Sequence, residues 1–293
     1  MVHTIQNPFL SVSVSEHGAQ LQSIVGKSGT EYLWQGDSQY WSDRDLHLFP
    51  YVARLTEGKY MLDGHVHQMA IHGIAPYRRF QLVAGADSWL TLELLSDEQT
   101  LEAYPRHFSF RVGYTLEDDR LNVTYEIENR DEKTMYFGLG GHPGFCVPLE
   151  SGKTFEDYRL RFGAPCQPVR VGFSEDCFVT DDDHPFPLEQ DLFLPLRHTL
   201  FDDDAIVLKN MTREVTLECS GSSRSVTVTF PQMQYVGLWH MPKTDAPYLC
   251  IEPWCSLPSH KDQIAVFEEQ KDLITLMPGD VYRNTWSIHI HNP

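Results

Sequence analysis

Residues 121–127 read Leu121-Asn-Val-Thr-Tyr-Glu-Ile127, with apolar and polar side chains in strict alternation. A period of two predicts a strand that buries one face and exposes the other. The same alternation recurs along the chain at residues 108–114, 226–230 and 286–290. Turn-forming pairs such as the Asp-Gly of Leu62-Asp-Gly-His65 lie between the runs. The pattern therefore predicts antiparallel strands joined by short turns.

Helical periodicity is scarce, and residues 263–272 are the one stretch for which we predict a short helix. Many short strands without interleaved helices predict an all-β protein, a large sandwich or barrel. We find no linker and no fixed-period repeat. We therefore expect a single domain over residues 1–293, with the proline-rich segment 163–197 as an irregular excursion.

The composition excludes several classes of function. The chain has 293 residues, and 41 acidic against 23 basic side chains give a net charge of −18. A nucleic-acid binder needs clustered Lys and Arg, and an anionic membrane surface repels such a charge. No stretch is long and apolar enough for a spanning helix, and the N-terminus lacks the pattern of a signal peptide. Six cysteines without CxxC spacing indicate free thiols, so we expect a cytoplasmic protein.

Three histidines stand in contexts that favour function over a plain structural role. His72 precedes a glycine, and His142 lies in Gly140-Gly-His-Pro-Gly-Phe145, where glycine permits close approach of the backbone. His240 follows Trp239 at the end of a predicted strand. His65 and His67 alternate on another strand, but two histidines are weak evidence, and we expect no metal site.

Two acidic positions and one arginine complete the set of candidates. Glu252 ends an apolar run in Tyr248-Leu-Cys-Ile-Glu-Pro-Trp254, where burial makes an unpaired acid costly, so such positions are often functional. A structural ion pair is the alternative. The acidic triplet 202–204 precedes another apolar run and by default is a solvated turn. Arg54 is embedded in apolar residues, so we expect a buried guanidinium that needs acceptors from the protein or a ligand.

Short motifs in these contexts match one known family in order along the chain. They are Gly18-Ala-Gln-Leu-Gln-Ser-Ile24, Pro50-Tyr-Val-Ala-Arg54, His72-Gly73, Gly141-His-Pro-Gly-Phe145 and Leu249-Cys-Ile-Glu-Pro-Trp254. On these motifs the sequence resembles the aldose 1-epimerases, a galactose mutarotase-like family, and in particular its LacX-like bacterial branch. The resemblance implies a large antiparallel β-sandwich with few short helices and with a sugar-binding cleft on one face.

The resemblance also implies an activity and an acid–base pair. It implies an isomerase, without a cofactor, that interconverts the α and β anomers of a free aldose. Glu252 matches the catalytic base of the family and His142 its catalytic acid. Opening a hemiacetal ring needs both, because one group takes the anomeric hydroxyl proton while the other protonates the ring oxygen.

Further side chains match positions that bind the sugar. Arg54 and His72 correspond to residues that contact it, and a family aspartate that grips sugar hydroxyls falls at Asp203 or Asp204. An aromatic ring can cover the apolar C–H face of a sugar, and Trp239, Trp254 and Phe145 are candidates, of which we choose Trp239.

Two alternative functions stay open at the level of sequence. One is an epimerase for a phosphorylated or sulfonated hexose, which needs further cations, for which Arg78, Arg79 and Arg106 are candidates. The net charge of −18 disfavours this alternative, because the average electric field of the protein repels anionic substrates. The other is a carbohydrate-binding protein without catalysis, which needs no acid–base pair. The sugar itself, and whether the protein is a monomer or a homodimer, stay open as well.

Overall fold

The computed structural model describes residues 1–292, so Pro293, the last residue of the predicted domain, lies outside the described residues. Within residues 1–292 the chain forms twenty-five strands. In chain order they are β1 Val2–Gln6, β2 Leu10–Ser15, β3 Leu21–Gly26, β4 His47–Leu48, β5 Lys59–Leu62, β6 His65–Gln68, β7 Gln81–Ala86, β8 Trp89–Leu95, β9 Phe108–Glu117, β10 Arg120–Asn129, β11 Met135–Phe137, β12 Gly140–Gly141, β13 Gly144–Cys146, β14 Tyr158–Phe162, β15 Val169–Arg170, β16 His184–Pro185, β17 Phe193–Pro195, β18 Ile206–Lys209, β19 Glu214–Cys219, β20 Ser225–Thr229, β21 Tyr235–Trp239, β22 Tyr248–Trp254, β23 Ala265–Val266, β24 Ile274–Leu276 and β25 Val281–His291.

Two large sheets make up most of the fold, as the predicted sandwich requires. The first runs in the order β17-β14-β19-β20-β25-β10-β9-β8-β7. The second runs β16-β15-β18-β21-β22-β12-β4, with β13 also paired to β22. Neighbouring strands in both are antiparallel, and smaller sheets form from β1-β2-β3, β11-β24 and β23-β5-β6. The prediction of an all-β, antiparallel fold is therefore confirmed.

The alternating stretch at residues 121–127 lies near the middle of the first sheet, in β10. Its buried and part-exposed residues alternate along the whole strand, because successive side chains point to opposite faces. The predicted Asp-Gly turn is also present, since Leu62 pairs with His65 and both turn residues have positive φ. Asp and Gly tolerate that conformation, which a two-residue hairpin turn of this type requires.

The helix prediction was wrong in its position. Residues 263–272 form no helix, because β23 within them pairs with β5 and the Phe267 ring stacks on Tyr60 at 4.0 Å between centroids. Within residues 1–292 one α-helix forms at another place in the chain, α1 Glu98–Ala103. Short 3₁₀ turns occupy Thr56–Gly58, Ala75–Tyr77, Phe155–Asp157 and His198–Phe201. The Asp97 carboxylate caps α1 by accepting the Thr100 N–H at 2.8 Å. None of these helices is long and apolar enough to cross a lipid bilayer.

The second sheet has two different faces, and this difference positions the site. On β22, Leu249 and Ile251 belong to the main hydrophobic core, together with side chains from the first sheet. The intervening residues of β22 therefore point away from that core. Glu252 is one of them, so the strand that completes the core also carries an acid onto the outer face of the sheet.

Candidate active site

A cavity of about 300 Å³ lies on the outer face of the second sheet. All seven side chains that the sequence singles out for catalysis or sugar binding line it, although they come from positions spread over about 200 residues. They are Arg54, His72, His142, Asp203, Asp204, Trp239 and Glu252. A volume of this size is at the lower end of the roughly 300–1,000 Å³ typical of small-molecule sites.

His142 and Glu252 face each other at the inner wall of the cavity. The His142 Nε2 atom lies 3.3 Å from the Glu252 Oε2 atom, and the two residues are only 7% and 1% exposed. The two atoms form no hydrogen bond, so Glu252 Oε2 lacks a partner, and the other ring nitrogen of His142, Nδ1, lacks one as well. Buried polar atoms without a partner are costly, which makes this pair an obvious place for a polar ligand.

Local backbone geometry explains how the glycine motif presents His142. The residue follows β12, whose Gly140 pairs with Trp254 at the end of β22. A Cβ atom at Gly141 would lie 2.7 Å from the Trp286 ring, so only glycine lets the chain pass so close to the core. The Trp41 ring stacks on the His142 imidazole at 4.9 Å between centroids and fixes the plane of the ring.

Burial moves the pKa values of the pair in opposite directions. Burial, with the like charge of Asp204 as a second cause, raises the pKa of Glu252 well above its usual 4.5. Burial, with the positive charge of His72 as a second cause, lowers the pKa of His142 well below its usual 6.5. An ionised Glu252 is therefore a stronger base than an ordinary carboxylate, and a protonated His142 is a stronger acid than an ordinary imidazolium.

His72 is held in one tautomer by the backbone beside it. The Ala53 N–H donates to His72 Nδ1 at 3.3 Å, so the neutral ring carries its proton on Nε2. Burial and the nearby charge of Arg54 lower the pKa of His72 to about 4. The neighbouring glycine is required, because a Cβ atom at Gly73 would lie 2.3 Å from the Phe49 carbonyl oxygen. Near neutral pH His72 is therefore an uncharged hydrogen-bond donor at the cavity.

Arg54 differs from its expected setting. The residue is exposed rather than buried, although its neighbours Val52 and Leu55 are buried. Ala53 adopts a positive φ of 56°, so the chain bends sharply just before the arginine. Within residues 1–292 the guanidinium makes no hydrogen bond or ion pair to protein, and it lines the cavity. The expectation of a buried arginine was wrong, while the position of Arg54 at the cavity fits the alternative in which a ligand supplies the acceptors.

The acidic triplet reaches the cavity through two of its members. Asp203 and Asp204 both line it, but Asp203 is exposed and Asp204 is half-buried. The charge of Asp204 acts on the pKa of Glu252, which places Asp204 nearer to the acid–base pair. Asp204 has a positive φ of 74°, and its carboxylate accepts the Ala205 N–H at 2.8 Å. The geometry thus favours Asp204 over Asp203 as the aspartate that faces a ligand.

Aromatic rings form a wall of the cavity. Trp239 meets the His142 ring edge-on at 5.8 Å, and Trp41 meets Trp239 in the same way at 5.7 Å. Sequence reasoning missed Trp41 and also Asp43, which lines the cavity as well. Both lie in the irregular segment before β4, where no alternation marks them. The available signal was composition, a Trp two residues before an Asp in a loop rich in aromatic side chains.

Other candidates lie away from the cavity. His240 is fully buried and contacts His198, with 3.2 Å between the His240 Nε2 and His198 Nδ1 atoms. His65 and His67 acquire no third ligating side chain within residues 1–292. The three arginines considered for an anionic group pair elsewhere, Arg78 with Asp97, Arg79 with Glu16 and Arg106 with Asp63. None of these residues lines the cavity.

Comparisons with known proteins show similarity along nearly the whole chain. The family model for aldose 1-epimerase matches residues 1–289. The chain is 29% identical to the chromosomal protein LacX of Lactococcus lactis subsp. lactis over 304 residues, covering 100% of both. It is similar to a galactose mutarotase related enzyme from Lactobacillus acidophilus, with 30% identity, a TM-score of 0.95 and coverage of 100% of this chain and 98% of the other. It is also similar to a galactose mutarotase-like protein from Lactobacillus casei ATCC 334, with 29% identity, a TM-score of 0.93 and coverage of 99% of this chain and 100% of the other.

Proposed function

Since the chain belongs to the aldose 1-epimerase family, we propose that it interconverts the α and β anomers of a free, neutral aldose. His142 and Glu252 are the proposed acid–base pair. One observation carries the assignment: the His142 Nε2 and Glu252 Oε2 atoms lie 3.3 Å apart at a cavity wall, and neither group is satisfied by protein.

The chemistry needs two proton-transfer groups side by side. The ring oxygen and the anomeric hydroxyl of an aldose are bonded to the same carbon, so the groups that serve them must be neighbours. The Glu252 carboxylate takes the hydroxyl proton, the bond from C1 to the ring oxygen breaks, and protonated His142 gives its proton to that oxygen. The product is an open-chain aldehyde with no net change in protons or electrons.

Reclosure reverses the two roles. After rotation about the C1–C2 bond the hydroxyl attacks the other face of the aldehyde. His142 then takes the proton from the attacking hydroxyl, and protonated Glu252 returns its proton to the aldehyde oxygen. Burial favours protonated Glu252 and neutral His142, which is the state of the pair after ring opening. The ionised pair that starts ring opening is therefore the less stable and more reactive one.

The remaining cavity residues suit the rest of a monosaccharide. Arg54, His72 and Asp204 offer donors and acceptors for hydroxyl groups, and Trp41 and Trp239 offer flat apolar surfaces for C–H groups. The volume of about 300 Å³ has room for one sugar ring rather than a longer chain.

Charge favours a neutral sugar over a phosphorylated or sulfonated one. Four carboxyl groups line the cavity, those of Asp43, Asp203, Asp204 and Glu252, against the single guanidinium of Arg54. The additional arginines that an anionic substituent would need are paired with carboxylates elsewhere. The proposed location is the cytoplasm, which the six free thiols support.

NMR exchange spectroscopy on the purified protein tests the proposal. The measured quantity is the rate at which the two anomers of glucose and of galactose exchange, compared with the rates for their 6-phosphates. We expect the protein to raise the exchange rate of at least one neutral sugar above the uncatalysed rate and to leave the exchange rates of the phosphates unchanged. Exchange of the phosphates alone would support the anionic alternative. Saturable sugar binding without any exchange would support a non-catalytic carbohydrate-binding protein.

A further inference from the structure

A thiol lies beside the acid–base pair and has no part in the proposed reaction. Cys250 is two residues before Glu252 on β22, so both side chains point to the same face of the sheet, and Cys250 is fully buried. Its Sγ atom, one ring nitrogen of His142 and one carboxylate oxygen of Glu252 all lie within 4.8 Å of one another. Cys250 and Glu252 lie on β22, and His142 lies between β12 and β13, which both pair with β22.

The arrangement has the donor set and the spacing of a site for a transition metal. Thiolate, imidazole and carboxylate are the ligands that zinc takes in proteins, and tetrahedral zinc holds such donor atoms roughly 3.4–3.6 Å apart. The 3.3 Å between the His142 Nε2 and Glu252 Oε2 atoms is close to this spacing. The Cys250 sulfur lies within 4.8 Å of a ligand atom of each and has to move closer to complete the site. The Glu252 Oε2 atom gives a second, independent sign that this cluster can take a ligand, because it is buried without a hydrogen-bond partner and is the oxygen that faces His142 Nε2.

We propose that His142, Cys250 and Glu252 form a binding site for one Zn²⁺ ion, or a similar borderline-soft divalent cation, whose occupancy switches the enzyme off. The ion enters through the cavity, which His142 and Glu252 line. On binding, the Cys250 thiol releases its proton to solvent and its sulfur lone pair forms the bond to the metal. Protonated Glu252 releases its proton as well, and no oxidation or reduction takes place.

Inhibition follows because the metal occupies the lone pairs that the sugar reaction requires. This consequence rests on the proposed function, whereas binding of the metal does not. Zinc and sugar compete for the same acid–base pair, so zinc raises the apparent KM for the sugar. Removing the metal with a chelator restores the rate.

Titration with Co²⁺ tests the binding independently of activity. Cobalt replaces zinc in such sites, and its thiolate-to-metal absorption in the ultraviolet reports a sulfur ligand. We expect one equivalent per chain, with the band lost in Cys250→Ser and in Cys250→Ala. Cys177→Ser is the matched control, since Cys177 lines the cavity without belonging to the cluster, and Cys255→Ser removes a buried thiol from the end of the same strand. Both controls keep the band.

Activity measurements then test the consequence. In the exchange assay Zn²⁺ slows wild type, and Cys250→Ser keeps the basal rate while needing a higher zinc concentration for half-inhibition. The expected increase is at least about tenfold, as the loss of a supporting group around a metal costs roughly 10–100-fold in affinity. A cobalt band that persists in both Cys250 variants, or that never forms in wild type, overturns the proposal. If the band forms but no sugar exchanges, the metal site stands and the proposed function fails.

Discussion

Two buried histidines on neighbouring parts of the second sheet are used in opposite ways. His47 is fully buried, and its ring nitrogens lie 2.8 Å from the Tyr125 hydroxyl and 2.6 Å from the Tyr114 hydroxyl. His142 is almost as buried, yet its Nδ1 atom has no partner and its Nε2 atom only approaches Glu252. His47 with Tyr114 and Tyr125, here called the saturated network, has hydrogen-bond contacts at both ring nitrogens and stabilises the fold. His142 with Glu252, here called the unsaturated pair, has buried polar atoms without a protein partner.

The two regions are physically connected, which explains how the fold tolerates the second one. Gly141, the residue before His142, pairs with His47 across β12 and β4. The Tyr125 hydroxyl also donates to the Gly140 carbonyl oxygen at 3.2 Å. The saturated network therefore holds the chain that presents His142. We infer that substitutions in the two regions separate stability from activity.

The largest expected effect is on the rate of anomer exchange. Glu252→Gln and His142→Asn each remove one proton-transfer step, so each lowers kcat by about 10²–10⁴-fold. Glu252→Gln keeps the volume of the side chain and replaces a buried carboxyl whose Oε2 atom has no partner, so its free energy of unfolding in urea stays at the wild-type value or rises. His142→Asn also loses the ring that stacks on Trp41, so its free energy of unfolding falls. Glu102→Gln is the matched control, because Glu102 is an exposed glutamate on α1 and leaves both quantities unchanged. If Glu252→Gln and His142→Asn exchanged anomers at the wild-type rate, the contrast between the His142 region and the His47 region would fail.

The second prediction concerns the saturated network. Tyr114→Phe deletes the hydroxyl that donates to the Ala19 carbonyl oxygen at 2.7 Å and contacts His47. Two buried polar groups lose a partner, so the free energy of unfolding falls by about 1–3 kcal/mol. The exchange rate falls by less than about tenfold, because no group at the cavity changes. Tyr136→Phe is the control at a half-buried tyrosine whose hydroxyl forms no hydrogen bond within residues 1–292.

The sequence predicts the unsaturated region better than the saturated one. Arg54, His72, His142 and Glu252 stand in short local motifs that can be recognised one at a time. The network around His47 has no such signal, because its partners Tyr114 and Tyr125 lie on distant strands and look like ordinary core tyrosines. Its saturation depends on the packing of two sheets, which a local pattern does not contain.

The same contrast holds for the fold. Alternation predicts strands such as β10 because each strand obeys a local period of two. The helix prediction failed at residues 263–272, where pairing of β23 with β5 overrides local preference. Asp97 followed by Thr100 is a local helix-capping signal for α1, which the search for alternating residues did not detect. Trp41 and Asp43 escaped prediction because an irregular loop carries them to the cavity.

A third prediction tests whether the carboxylate of Asp204 supports the reaction of His142 and Glu252. Asp204→Asn removes a carboxylate that faces the cavity and a charge that raises the pKa of Glu252. We expect kcat/KM to fall by about tenfold, which corresponds to about 1.4 kcal/mol of transition-state stabilisation. Asn tolerates the positive φ at this position, so the turn survives. Asp203→Asn is the matched control at the exposed neighbour, and an equal loss in both variants would contradict the assignment of Asp204.

The smallest expected effect is the dependence of stability on pH that comes from Glu252. Burial raises the pKa of Glu252 above its ordinary 4.5, so the folded protein keeps a proton there that the unfolded chain releases. The contribution of this group to stability is therefore fully present below about pH 4.5 and is lost as the pH rises toward the folded pKa. Glutamine does not titrate. The free energy of unfolding of Glu252→Gln, minus that of wild type, should thus be smallest at acid pH and grow toward neutrality.

Urea unfolding of both proteins between about pH 4 and about pH 8 measures this difference. Tyr114→Phe supplies the contrast, because burial raises the pKa of Tyr114 well above 10 and the deleted hydroxyl does not itself titrate over that range. A constant difference for Glu252→Gln as well would mean that its carboxyl group is as well solvated as an exposed one, and the two histidine regions would then not differ in the way their contacts indicate.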